Sequence, residues 1–472
     1  MNNSFIKSIR HSINQSFIQS TLILFLLSSP SFAQFKLPHY EVVELKNGLT
    51  IYLMEKKDVP LISFAMSFDA GAVKDGLIPG LASFTSAALK FGTANYSKSQ
   101  IDSLFNFYGS ELSTNANYDY AGVFTQIMKD NFETLLPVLS EIVLSPTFPS
   151  EEIYKRKQRW LAELDQAKES PRRVIGDYFN KLIFDDGPYS SSLNGTKSSI
   201  QKIDTDKIKE FYSLHYRPET SAIAVVGDFD TDKMKSLLER YFGSWKNNSP
   251  KIISDIRMNQ KSFEEPKVYL INKDNAFETT FMIGGYGVPM SNPELIQIDV
   301  INTILGGRFT SWLNDELRVN AGLTYGARSR FNSYKHSGTF FISSFTATRN
   351  TEAALDLALK TYNRLFEKGI DEATLTSAKN YVKGQFPPEY ETSYSLASFL
   401  IQKYFFGLDD TYINDFEKKV DELDVAKANE IVKRYFPKEN LQMVLIGKAD
   451  EIRSVAKKYG RVIERNLSED GF

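Results

Sequence analysis

Apolar and polar positions follow two different periods along this 472-residue chain. Residues 49–54 and 61–68 are rich in strand-forming side chains that alternate in polarity, which predicts β-strands. Residues 130–143 and 150–168 place apolar side chains at helical spacing with charged outer faces, which predicts helices. Strand-like and helix-like segments alternate throughout, so the pattern indicates a fold of the α+β or α/β class.

One pattern occurs twice. Residues 203–228 and 423–448 each predict an N-capped helix, a turn marked by proline and a buried strand that ends at a glycine. Asp204 pairs with Asp424 at the helix starts, 220 residues apart in the chain. Because order and spacing both match, internal duplication explains the repeat better than chance does. We therefore predict two homologous halves, residues 34–250 and 266–472, with a polar linker over 251–265.

The first 33 residues predict a signal peptide. Lys7 and Arg10 lie in a polar start, an apolar run covers residues 22–27, and Ser31 and Ala33 supply the small side chains at a cleavage site. A weak amphipathic anchor is the alternative. The run is too short to cross a bilayer, and no later stretch is long enough either. We expect an exported protein, periplasmic or extracellular, without a stable membrane span.

Composition narrows the chemistry. The chain has no cysteine and four histidines, which excludes thiol nucleophiles and cysteine-based metal sites. A formal net charge of −2 gives no basic excess for nucleic acid, so we expect no nucleic-acid partner. Phosphate-binding glycine loops and a G-x-S-x-G nucleophile motif are not found.

Residues 79–93 carry a Gly-Leu-Ala and, further on, a Gly-Thr that frame a helix. This frame resembles the signature helix of the pitrilysin/insulinase family of zinc peptidases, the inverzincins, which bears the motif H-x-x-E-H. The resemblance implies two zinc-binding histidines and a glutamate that activates water. Those positions are Ser83, Ser86 and Ala87 here. The motif is degenerate, so we expect no metal and no cofactor in this chain.

Glu163 lies 76 residues after Ala87, where the family resemblance places the third zinc ligand. A catalytic zinc site needs three protein ligands, and one carboxylate without its histidines cannot hold the ion. The simplest interpretation of Glu163 is a residual or solvated acid on a helix face.

Residues 304–327 resemble the family element that supplies a paired arginine and tyrosine from the half, or the partner subunit, that faces the zinc site. The pair is Arg318, near a helix end, and Tyr325, which we expect to begin a strand after a turn at Gly322. A phenol can donate to an oxyanion and a guanidinium can hold a substrate carbonyl. Alternatively, Arg318 complements a helix C-terminus and Tyr325 is an ordinary strand aromatic.

The resemblance covers essentially the whole chain after residue 33. It implies an α+β fold of two homologous halves, each a mainly antiparallel sheet covered by helices, arranged as a clamshell. It also implies a non-catalytic subunit of an exported heteromeric zinc peptidase that acts on unfolded peptides. Such a chain is inactive alone and pairs with a homologous H-x-x-E-H subunit that holds the zinc. Two alternatives stay open, a catalytically inert peptide-binding scaffold and a stand-alone hydrolase. We also expect residues 283–287 to offer a strand edge to an extended substrate.

Overall fold

The computed structural model describes residues 35–247, 249, 256, 258, 260 and 262–471. Residues from Pro38 onward form one compact unit, and the account below concerns that unit. The predicted signal peptide, residues 1–33, lies outside the described residues, as does much of the predicted linker. Within the described residues, none of the helices combines the length and the apolar character that crossing a membrane requires.

The first sheet has six strands in the order β1-β2-β6-β3-β5-β4. Every neighbouring pair is antiparallel except β2 and β6. The strands are β1 (Glu41–Glu44), β2 (Thr50–Glu55), β3 (Leu61–Phe68), β4 (Leu112–Ala116), β5 (Ala121–Met128) and β6 (Ser221–Gly227).

The second sheet repeats this plan in the order β12-β7-β11-β8-β10-β9. Its strands are β7 (Lys267–Asn272), β8 (Glu278–Tyr286), β9 (Ala327–Ser333), β10 (Gly338–Ala347), β11 (Gln442–Gly447) and β12 (Arg461–Asn466). Both pairs made by β7 are parallel and the other pairs are antiparallel. Five strands in each half share one topology, and only the added edge strand differs. The predicted fold class and the duplication are therefore confirmed.

Helices cover both sheets. In the first half they are α1 (Leu81–Ala88), α2 (Lys98–Phe107), α3 (Phe132–Leu144), α4 (Ser150–Lys168), α5 (Pro171–Phe184), α6 (Lys197–Lys202), α7 (Thr205–His215) and α8 (Thr231–Phe242). In the second half they are α9 (Leu295–Asn302), α10 (Trp312–Asn314), α11 (Thr351–Glu367), α12 (Glu372–Glu389), α13 (Ser393–Phe406), α14 (Thr411–Asn414), α15 (Phe416–Asp421), α16 (Val425–Tyr435) and α17 (Ala449–Ala456). Two π-helical turns, Thr303–Gly307 and Asp315–Asn320, extend α9 and α10.

The duplicated segment forms the same local structure in both halves. Asp204 caps α7 by accepting the backbone N–H of Lys207 at 2.9 Å, and Asp424 caps α16 by accepting that of Lys427 at 2.7 Å. Each cap satisfies one of the free N–H groups at a helix start, which is why aspartate recurs there. At the strand end, Gly227 has a positive φ and no room for a Cβ beside the carbonyl oxygen of Leu61.

One helix of each half packs on the sheet of the other half, and these two helices hold corresponding positions in the repeat. Helix α5 packs on β8 and β11 of the second sheet, and α13 packs on β3 and β6 of the first. On α5, the Phe179 ring meets Phe341 edge-on, with ring centroids 6.1 Å apart. On α13, the Phe405 ring stacks on Tyr120 at 4.9 Å. Each half thus supplies part of the apolar cover for the other, which couples the two sheets energetically.

This exchange makes a prediction for unfolding. Leu400 on α13 is fully buried, so Leu400→Ala should lower the free energy of unfolding by about 2–5 kcal/mol. Both halves should lose stability together, so both should unfold at the same, lower urea concentration. Two single-tryptophan proteins that retain either Trp245, in the first half, or Trp312, in the second, can report it in urea titrations.

Gln402→Ala is the matched control, since Gln402 is partly exposed on the same helix. Different midpoints for the two tryptophans would show that the halves unfold independently and that the exchange does not couple them.

Candidate functional site

Helix α1 carries the three positions of the degenerate motif. Asp75 holds its start, because the carboxylate accepts the backbone N–H groups of Gly80 and Ala82, each at 2.7 Å. Ser86 is fully buried and its Oγ donates to the carbonyl oxygen of Asn115 on β4 at 2.8 Å. Ser83 and Ala87 are partly buried one turn apart. The helix is firmly placed, but hydroxyl and methyl groups stand where zinc ligands are needed.

Glu163 on α4 is about half exposed and forms an ion pair with Arg156, whose Nη1 lies 2.8 Å from Oε1. The Arg156 guanidinium lies over the Trp160 ring at 4.2 Å, and that ring stacks on Phe84 of α1 at 5.1 Å. Helices α1 and α4 thus meet beside the motif positions, and the Glu163 carboxylate faces a guanidinium. Among the described residues, no group of three or more histidine, aspartate or glutamate side chains is arranged to hold a metal ion.

Arg318 and Tyr325 flank a turn in the second half. Arg318 lies in the π-helical turn Asp315–Asn320, with its guanidinium 4.4 Å from the centre of the Phe309 ring. Gly322 makes the turn with φ +61°. The expectation that Tyr325 begins a strand is wrong by two residues, because β9 starts at Ala327.

The segment that presents Tyr325 is fixed by its backbone. The Leu323 N–H donates to the carbonyl oxygen of Leu317 at 2.8 Å, and the Ala327 N–H donates to Oδ1 of Asn314 at 3.0 Å. Between these anchors the Tyr325 side chain is 87% exposed. An exposed tyrosine on a well-anchored segment is available to a ligand or to another chain.

Tyr325 lines a cavity of about 700 Å³ between α5 and the open face of the second sheet. Phe309 lies on the same wall, so Arg318 joins the site through its contact with that ring. A volume of this size suits a small ligand or a few residues of a peptide.

Two corresponding hairpins close the inner end of the cavity. Tyr118 in the β4–β5 turn meets Tyr334 in the β9–β10 turn, with ring centroids 5.0 Å apart. Asn180 on α5 donates to the Tyr118 hydroxyl at 2.9 Å, and Asp119 accepts the Lys335 N–H at 3.0 Å. Both halves therefore build this wall, and the cavity depends on their packing.

The arginines that line this cavity were not predicted from the sequence. The cavity lining includes Arg172 and Arg173 from α5 and Arg328 and Arg330 from β9. The sequence of β9 does alternate between charged and uncharged residues, and in the structure Arg328 and Arg330 are exposed while Ser329 between them is buried. This exposed face lines a cavity only because α5 lies across from it, and the sequence does not predict where α5 packs.

Asp177 on α5 is the one carboxylate among the described residues that line the cavity. Removal from water raises the pKa of Asp177 to about 7, and the hydrogen bond that Ser192 donates at 3.1 Å offsets this only in part.

Residues 283–287 do not offer a free strand edge, so that expectation is wrong. Strand β8 lies between β10 and β11, and Gly284 has Phe341 on one side and Gln442 on the other. Its main-chain groups are therefore used within the sheet. The glycine has a packing reason instead, because a Cβ at Gly284 would overlap the carbonyl oxygen of Phe340.

Two family models match this chain. The family model for insulinase (peptidase family M16) matches residues 51–197, and the model for the peptidase M16 inactive domain matches residues 202–382. The chain belongs to the insulinase (M16) family. The resemblance read from the motif helix is thereby confirmed.

The M16 relatives include zinc proteases and a non-peptidase homologue. A zinc protease, PqqE, from Helicobacter pylori is 24% identical over 405 residues, which cover 83% of this chain and 90% of the relative. A non-peptidase homologue, YmxG, from the same organism is 25% identical over 390 residues, 79% of this chain and 85% of that protein. An uncharacterised zinc protease from Rickettsia felis is 25% identical over 352 residues, 73% of this chain and 82% of that protein.

Solved structures share the fold. A peptidase M16 inactive domain from Pseudomonas fluorescens aligns with a TM-score of 0.81 at 23% identity, covering 87% of this chain and 98% of that one. A protease from Helicobacter pylori aligns with a TM-score of 0.79 at 22% identity, covering 87% of this chain and all of the other. The M16 two-sheet architecture is therefore kept in a chain whose zinc motif is degenerate.

The Arg156 ion pair makes a prediction for metal binding. Ser83→His with Ala87→His supplies two imidazoles one helical turn apart, and Glu163 is the carboxylate that the resemblance offers as third ligand. The Arg156 guanidinium, which is paired with Glu163 Oε1, competes with a metal ion for that carboxylate. Adding Arg156→Gln to the double-histidine protein should therefore tighten zinc binding by about tenfold, measured by competition with a chelator. Arg159→Gln, which removes an exposed arginine of the same helix, is the control. Equal gains from both substitutions would show that net charge, not release of Glu163, governs affinity.

Asp177 predicts a pH dependence of stability. The folded protein holds this proton up to about pH 7, whereas the unfolded chain releases it near 3.8. The folded state therefore binds the extra proton between these values, and its stability falls as the pH rises from about 4 to 7. Asp177→Asn removes this loss, so the stability advantage of the variant should grow from pH 5 to pH 8 in urea titrations. A constant difference across that range would contradict the raised pKa.

Proposed function

We propose that this chain is the non-catalytic subunit of an exported, heteromeric M16 zinc peptidase that degrades or processes unfolded peptides. A homologous subunit with an intact H-x-x-E-H motif holds the zinc and the base. This chain contributes Arg318 and Tyr325 in trans, where the guanidinium holds a substrate carbonyl and the phenol donates to the oxyanion.

The exposed Tyr325 carries this proposal. Its hydroxyl has no hydrogen-bond partner among the described residues, although the backbone on both sides is anchored. The cavity that Tyr325 lines offers space for a peptide, and the Arg318 guanidinium lies over Phe309, which lines the same cavity. The Tyr325 hydroxyl is thus held in place without a partner among the described residues, which suits a hydrogen-bond donor that acts in the active site of a second chain.

The state of the motif helix supports the same division of roles. Ser83, Ser86 and Ala87 cannot supply the zinc ligands or the base, so hydrolysis requires them from elsewhere. The similarity of this chain to both a zinc protease and a non-peptidase homologue of Helicobacter pylori shows that the two kinds occur in one organism. Export rests on the pattern of residues 1–33, which lie outside the described residues.

A peptide-binding scaffold without a catalytic role is the second candidate. The family-model match to the M16 inactive domain favours it, because a clamshell with a cavity can bind peptides without a partner. The two candidates differ in one measurable respect, since only the subunit changes the rate of peptide cleavage.

Mixing this chain with an M16 homologue that retains H-x-x-E-H tests the proposal. Zinc-dependent cleavage of a fluorogenic peptide should appear only in the mixture. Tyr325→Phe should lower kcat by roughly 100-fold, the usual effect of removing one oxyanion donor, and leave complex formation in sedimentation unchanged.

Tyr154→Phe is the matched control, because Tyr154 is a similarly exposed tyrosine in the first half. A mixture as inactive as either chain alone would contradict the subunit role. Peptide binding without any effect on the partner's rate would support the scaffold.

A further inference from the structure

The floor of the cavity is a charged face of the second sheet. Along β9, Arg328 and Arg330 are exposed, whereas Ser329 and Phe331 between and after them are buried. Side chains two residues apart share a face, so both guanidinium groups lie on the open side of the sheet. Opposite Arg328 on β10 is Ser343, whose Oγ accepts from Nε of Arg328 at 3.3 Å.

Helix α5 adds two more arginines from above this face. Arg172 is held in place, because its Nη2 donates to both carboxylate oxygens of Glu278 at 2.9 and 3.1 Å. Its guanidinium also covers the Phe345 ring at 3.3 Å. Arg173, the next residue, lines the same cavity. A strand and a helix that packs on the same sheet therefore contribute four arginines to the lining of one cavity.

Three of the four guanidinium groups lack an ion pair with the described residues, whereas Arg172 is paired with Glu278. Arg173, Arg328 and Arg330 have no carboxylate within ion-pair distance in the part of the chain that the structure describes, and Asp177 is the one acid in the described lining. The charge of Arg330 also acts on the Asp299 carboxyl from beyond ion-pair distance. Elsewhere on the same sheet arginines are paired, as Arg461 is with Glu265 and Arg465 with Glu469. Unpaired cations in a concave site focus a positive potential, which attracts anionic ligands.

We propose that this cavity binds a carboxylate of the peptide substrate and so recognises the peptide through an acidic side chain or through its free C-terminus. The proposal rests on the function proposed above and names the substrate class of that site. A guanidinium matches a carboxylate with two parallel hydrogen bonds, which makes arginine the preferred residue for such recognition. The exposed ring of Phe309 in the same lining accepts a neighbouring apolar side chain of the peptide.

The carboxylate has two sources, an acidic side chain or the free C-terminus of the peptide. Four peptides of one length that carry the same uncharged fluorophore distinguish them, with two glutamates or two glutamines at the centre and a free or amidated C-terminus. Anisotropy titrations with this chain alone measure binding without any partner or turnover.

We expect at least one of the carboxylate-bearing forms to bind about tenfold more tightly than the glutamine peptide with an amidated end. Preference for the glutamate peptides assigns the side chain, and preference for the free ends assigns the C-terminus. Arg328→Gln with Arg330→Gln should abolish the preference. Arg461→Gln with Arg465→Gln, which removes two arginines from β12 at the opposite edge of the same sheet, should preserve it.

Circular dichroism melting checks that both double variants are folded. Arg330→Glu provides a second test, because it should weaken glutamate peptides and favour lysine peptides of the same length. Equal affinity for all four peptides, no binding at all, or equal loss in the two double variants would overturn the proposal. Cleavage on mixing with an H-x-x-E-H homologue would in that case still stand, so failure here is distinct from failure of the subunit role.

Discussion

The exchange of two amphipathic helices between the halves is the interaction on which the rest of the structure depends. A sheet with one apolar face must be covered, and each half covers the other's sheet with the helix that follows its longest helix in the repeat. Moving the halves apart would expose both sheets at once, which opposes independent opening. The cavity is a product of this exchange, since α5 forms one of its walls and the second sheet forms its floor.

The duplication left the two halves with different chemistry on the same frame. The first half has the motif helix, anchored at Asp75, but hydroxyl and methyl groups stand where the zinc ligands and the base are needed. Its remaining candidate ligand, Glu163, is paired with Arg156. The second half keeps a presented tyrosine and gathers arginines around a cavity. The motif positions lie on a helix that is held by a hydrogen bond to β4 and by apolar packing, so its placement does not depend on a metal ion.

Local features were predictable from the sequence because local forces determine them. The strand-forming side chains of residues 61–68 predicted the bounds of β3, although that strand is buried on both faces and does not alternate. Asp204 and Asp424 marked the starts of their helices. The exchange was not predictable, because an amphipathic pattern shows that a helix buries one face but not which sheet it covers. The interior position of β8 and the arginines on β9 were missed for the same reason, since strand order and cavity walls depend on contacts between distant segments.

Site-specific photo-crosslinking can show whether Tyr325 reaches the zinc site of another chain, as we propose. A benzophenone amino acid is placed at position 325 in the full chain in its native cells, with the same group at position 154 as the control. We expect a crosslinked product from position 325 that contains an M16 homologue with an intact H-x-x-E-H motif, joined near that motif. Crosslinks confined to this chain, or the same products from both positions, would contradict it.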